Sequence, residues 1–79
     1  MSRIEWRDRL VANPKIHAGD LCFKGTRIPV GMIVGSLADG MTPEEIIKQY
    51  EPLTPDDIRA ALAYAAELTE QEVFYPLKV

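Results

Sequence analysis

Seventy-nine residues, 47% hydrophobic and 27% charged with a formal net charge of −3, describe one globular domain and argue against disorder. A chain of this length buries only roughly 60% of its unfolded surface, so a second copy is expected to share its stabilisation. The longest nearly uncharged stretch, Ile28 to Ala38, is broken by glycines and a proline and falls short of the ~20 residues that span a bilayer.

The start of the chain, Met1-Ser2-Arg3-Ile4-Glu5-Trp6-Arg7, is charged and lacks the apolar core of a signal peptide. The single cysteine, Cys22, has no partner for an internal disulfide, which suits a reducing compartment and gives a cytoplasmic expectation. The charge is divided unevenly. Residues 1–31 sum to +3 and residues 32–79 to −6. This asymmetry reads either as two solvated faces that attract each other or as a statement about partners.

In chain order, Ser2 and Glu5 fit a capping box, and Trp6 and Leu10 lie one helical turn apart, so a short helix is expected over 3–11. Asn13-Pro14 would end it, because the residue before a proline is pushed out of the α region. Leu21-Cys22-Phe23 and Thr26-Arg27-Ile28 flank Lys24-Gly25 and read as a hairpin with a two-residue turn. That register pairs Phe23 with Thr26 and Leu21 with Ile28. It puts Leu21, Phe23, Thr26 and Ile28 on one face and Cys22 and Arg27 on the other.

From Val30 the period becomes helical: Val30, Ile33, Val34, Leu37 and Ala38 form one apolar stripe, ended by Asp39-Gly40. Two start signals of one plan follow, Thr42-Pro43-Glu44-Glu45-Ile46 and Thr54-Pro55-Asp56-Asp57-Ile58. Threonine caps, proline sits where its missing N–H is not needed, and the acids face the positive end of the helix dipole. Pro52 stops the first of these helices near Tyr50. The second runs to about Glu72 and is expected to bury Ile58, Ala61, Leu62, Ala65 and Leu68. The fold class is therefore mainly α: a three-helix, helix-turn-helix-like bundle over residues 1–72, preceded by a short helix and a small β-hairpin. An apolar tail, 73–79, follows.

Catalysis is weakly supported. His17 and Cys22 do not form a metal-ligand pattern, and a lone strand cysteine is usually an inert small hydrophobe. The carboxylate pairs are explained by capping, and no phosphate-cradling loop is present. No enzymatic activity, cofactor or metal is expected. The outline suits a helix-turn-helix, but the start of its third helix carries Asp56 and Asp57 with one Arg59, a poor surface to set against phosphate. Any DNA contact falls instead to Lys24, Thr26 and Arg27 of the hairpin with Arg7 and Arg9 before it. Leu21, Phe23 and Ile28, with Phe74, Tyr75 and Leu77 of the tail, are the candidate partner or dimer surface.

Taken together, Lys24-Gly25-Thr26-Arg27-Ile28-Pro29-Val30, the run Leu37 to Ile46 and the run Leu53 to Leu62 closely resemble the bacterial family catalogued as domain of unknown function 433. The likeness covers roughly residues 5–70. It departs at Ala18-Gly19-Asp20-Leu21, where family members often read Gly-Gly-Lys-Pro. The resemblance implies a homeodomain-like or winged-helix-like core and an antitoxin role beside a toxin nuclease of PIN-type fold; no catalytic residues come with it. The leading expectation is thus a type II antitoxin that masks a toxin ribonuclease and represses its own operon as a DNA-binding homodimer. A DNA-binding regulator without a toxin, and a homo-oligomeric interaction module, are the alternatives.

Overall fold

The computed structural model describes residues 2–15 and 19–71. A 3-10 turn, Trp6–Asp8, leads into strand β1, Leu10–Ala12; strand β2, Leu21–Phe23, and helices α1, Val30–Ala38, α2, Pro43–Gln49, and α3, Pro55–Gln71, follow. The described residues are mainly α, three helices with one two-stranded antiparallel sheet, the fold class its sequence predicts.

The three helices begin and end where local chemistry directs. Gly40, at φ 102°, terminates α1: its N–H donates to the Leu37 carbonyl and the Met41 N–H to that of Ser36, the paired bonds of a glycine-ended helix. Thr42 and Glu45 complete a reciprocal capping box on α2. Thr54 and Asp57 do the same on α3: the Thr54 hydroxyl accepts from the Asp57 N–H at 3.3 Å and the Asp57 carboxylate accepts from the Thr54 N–H at 2.9 Å.

The N-terminal third differs from expectation in two respects. The helix over 3–11 is reduced to the 3-10 turn, and Glu5 accepts from the Arg7 N–H rather than closing a box with Ser2. An isolated helix of nine residues is marginal, and β2 offers this segment a ladder instead. Leu10, Val11 and Ala12 pair with Phe23, Cys22 and Leu21, and the Lys24 N–H donates to the Arg9 carbonyl at 2.9 Å.

The second difference is register. Both the N–H and the hydroxyl of Thr26 donate to the Phe23 carbonyl, at 3.0 and 2.8 Å, so residues 23–26 form a turn and Thr26 is not a cross-strand partner. The chain returns two residues later than expected: the Phe23 N–H donates to Ile28 and Cys22 bridges Pro29. Gly25, at φ 76°, supplies the left-handed position.

The core is Leu10, Phe23, Val30, Ile33, Ile46, Leu53, Ile58, Ala60 and Ala61. α3 is rotated from its expected face. Ile58 and Ala61 are buried as predicted, but Ala60 and Ala63 join them while Leu62 and Leu68 are 47% and 45% exposed. Small side chains thus fill the buried face of α3, which packs on α1, and the rotation turns Asp57, Tyr64 and Glu67 towards the N-terminal segment. The expected tail, 73–79, lies outside the described residues, and no described helix is long and apolar enough to cross a membrane.

Candidate functional site

Arg7 and Arg9, two of the residues expected to contact phosphate, are engaged within the molecule, as is Arg3. Residues 3–9 run antiparallel along α3, and each arginine meets carboxylates there. Arg3 grips Glu70 with two bonds, at 2.7 and 3.2 Å. Arg7 reaches Glu67 at 3.1 Å and also Glu5. Arg9 lies 3.2 Å from Asp57 and 3.4 Å from Asp56. Between the outer pairs, the Trp6 indole N–H donates to Glu67, its ring meets Tyr64 edge-on at 4.9 Å, and the Arg7 guanidinium stacks over it at 4.4 Å.

The electrostatics of this seam follow from those bonds. Glu67 titrates below its ordinary value, first because of the Trp6 hydrogen bond and then that of Arg7. Arg3, by hydrogen bond and charge, holds Glu70 below its own. Glu5 is lowered first by the Arg7 backbone N–H and then by its guanidinium. The reading of the charge asymmetry as two mutually attracting faces therefore holds for Arg3, Arg7 and Arg9.

The remaining predicted positions separate. Lys24 and Arg27 are exposed on the turn after β2 and, among the described residues, have no ion-pair partner. Thr26 spends its hydroxyl inside the turn, donating to Phe23 and accepting from the Ile28 N–H at 3.1 Å. Of the partner surface, Phe23 is 1% exposed and belongs to the core, with Leu21 and Ile28 packed against it. Phe23 is thus unavailable to a partner; Phe74, Tyr75 and Leu77 lie outside the described residues, as does His17.

Cys22 is buried, and its thiol meets the Asp20 carbonyl at 3.6 Å. Among the described residues no cluster of His, Cys, Asp or Glu is arranged to hold a metal ion. An open concavity of about 610 Å³ between the start of α3 and the sheet is lined by Glu5, Asp8, Arg9, Lys24, Asp56 and Asp57, with Ile4. It mixes both signs of charge.

The sequence does not single out Met32, 48% exposed, and it places Leu62 and Leu68 in the core although both are exposed. Met32 had a legible signal, since it falls outside the Val30–Ile33–Leu37 stripe. Leu62 did not, because its helix buries alanines in preference to leucines.

A family model described as a protein of unknown function (DUF433) matches residues 10–65. This chain belongs to the DUF433 family. A crystal structure of a DUF433 member from Anabaena variabilis ATCC 29413 superposes with a TM-score of 0.74 at 29% identity, covering 82% of this chain and 64% of that one. The chain thus spans less than two thirds of the length of that relative. No curated protein matches it. The family match begins at Leu10 and stops at Ala65, so Arg3, Trp6, Arg7, Glu67 and Glu70 all lie outside it.

Proposed function

We propose that this DUF433 protein is a cytoplasmic, non-enzymatic binding module: a type II antitoxin that neutralises a PIN-like toxin ribonuclease by protein–protein contact. The observation that supports a protein partner over DNA is the fate of the charges. With Arg3, Arg7, Arg9 and Arg59 in ion pairs, the described unpaired cations are Lys15, Lys24, Arg27 and Lys48. The described unpaired anions are Asp8, Asp20, Asp39, Glu44, Glu45 and Glu51. The unpaired charges are thus predominantly acidic, and Met32, Leu62 and Leu68 are exposed apolar side chains. An acidic excess suits a partner whose nuclease site is ringed by positive charge, and an exposed apolar side chain such as Met32 can serve as an anchor in such a contact.

Repression of its own operon, with Lys24 and Arg27 touching phosphate from a homodimer, is the secondary part of the reading. The test is co-expression with the product of the adjacent gene, copurification, and assay of RNA cleavage by that product with and without this chain. The expected result is a stable complex with cleavage suppressed, and a Met32→Glu variant that binds at least 10-fold more weakly. A PIN-like neighbour that neither copurifies nor loses activity removes the antitoxin assignment.

A further inference from the structure

The seam between residues 3–9 and α3 has features that neither the family match nor the protein-partner reading uses. α3 presents Asp56, Asp57, Glu67 and Glu70 to the arm, and the arm answers with Arg9, Arg7 and Arg3 in the reverse order. The spacing is compatible: thirteen residues of helix from Asp57 to Glu70 rise about 20 Å, and the arm from Arg3 to Arg9, half extended and half 3-10 turn, reaches about 16 Å, the long arginine side chains spanning the difference. To a guanidinium, a carboxylate and a phosphate are equivalent partners, both bound through the same planar fork of donors. The acid row of α3 thus offers the arm what a nucleic-acid backbone offers.

The attachment is also of a displaceable kind. No backbone hydrogen bond joins the arm to α3 among the described residues. The Arg3–Glu70 pair is 54% and 58% exposed and Arg7 58% exposed, so these pairs are weak individually and weakened further by salt or a competing polyanion. Trp6 and Ile4, only partly buried, supply the apolar part of the hold.

We propose that residues 3–9 are an autoinhibitory strap: docked, the α3 carboxylates stand in for phosphates and silence the arginines; released, Arg3, Arg7 and Arg9 grip the backbone of duplex DNA. Phosphate binding is then a competition between an internal and an external polyanion. The proposal does not depend on a toxin partner, and failure of either leaves the other standing.

The test is duplex binding by the full chain, read by fluorescence anisotropy over a salt series. The wild type is compared with Glu67→Gln/Glu70→Gln and with a charge-matched control, Glu44→Gln/Glu51→Gln, whose sites face no arginine of the arm. Releasing Arg3 from Glu70 and Arg7 from Glu67 is expected to tighten binding at least 10-fold over the control. It also steepens the dependence of log K on log salt by about 2, near 0.9 per phosphate engaged. Adding Arg3→Ala/Arg7→Ala to the freed variant is expected to abolish the gain. Equal gains in freed variant and control, or a gain that survives removal of both arginines, overturn the proposal, as does absence of duplex binding at low salt.

Should the freed variant not fold, the wild type decides alone. Trp6 is the chain's one tryptophan and sits at the seam. Saturating duplex must shift its emission to the red as it leaves Tyr64 and Glu67, and duplex bound with Trp6 emission unchanged overturns the strap.

Discussion

Asp57 and Asp56 are adjacent, identical in type and both within reach of Arg9, yet their surroundings separate them. Asp57 accepts from the Thr54 N–H and hydroxyl as well as from Arg9, with its side chain 14% exposed. Asp56 pairs with Arg9 and Arg59 from a side chain 51% exposed. Losing a charge-assisted hydrogen bond to a backbone N–H costs about 1–2 kcal/mol, whereas a half-exposed ion pair contributes about 0–1. Asp57→Ala is therefore expected to lower stability in urea unfolding by about 1–2 kcal/mol and Asp56→Ala by less than half as much; equal costs would contradict the division. Phe23, 1% exposed at the centre of the core, is the position where truncation matters most. Phe23→Ala is expected to cost about 3–5 kcal/mol, enough to unfold much of so small a domain. A variant that keeps its urea midpoint would mean that Phe23 is a contact residue after all. Its burial shows what single positions reveal from sequence: Phe23 was legible as apolar, but the choice between core and interface was not, because both ask for the same side chain.

At the scale of elements, legibility followed the range of the interactions. The starts of α2 and α3 and the end of α1 are set by bonds that span three to five residues, so Thr42, Thr54 and Gly40 announced them. β1 is set by β2, whose paired residues lie 9 to 13 positions on, and carries no signal of its own: Leu10-Val11-Ala12 becomes a strand because Cys22 and Lys24 present a ladder to it. The hairpin register failed on one hydroxyl, since Thr26 bonds back to Phe23 instead of crossing to it. Gly40 gives the element-scale prediction. At φ 102°, with nothing within 4 Å of where a Cβ would stand, Gly40→Ala is penalised by backbone strain alone, about 1–2 kcal/mol. Gly35→Ala, equally open in space but inside α1, is expected to stabilise by about 0.5–1 kcal/mol. Opposite signs in thermal melts confirm the pair; a shared sign would refute it.

For the whole molecule, the basic N-terminal segment and the acidic α3 are held together by groups whose charge depends on pH, and this gives the seam an acid limit. The sequence supplied the two charge blocks but not their contact, because pairing between residues 60 or more apart leaves no local trace. Glu67 and Glu70 both titrate below their ordinary values, through Trp6 and Arg7 and through Arg3 respectively. A carboxylate lowered by folding favours the folded state at every pH above its unfolded value, near 4.3, and that contribution is lost as pH falls through the lowered folded value. Stability is therefore expected to be flat from pH 7 to about 5 and to fall below about 4. Glu5 and Glu45, lowered by the Arg7 and Thr42 backbone N–H groups respectively, add to the same decline. In Glu67→Gln/Glu70→Gln the seam's share of this dependence is gone. Thermal melts at a series of pH values should show the variant below the wild type at pH 7 and the two curves drawing together as pH falls below the ordinary carboxylate range and Glu67 and Glu70 take up protons. Parallel curves across the whole range would mean that these pairs contribute nothing on folding. Convergence with Trp6 emission shifting to the red in the same interval would tie the lost stability to release of residues 3–9 from α3.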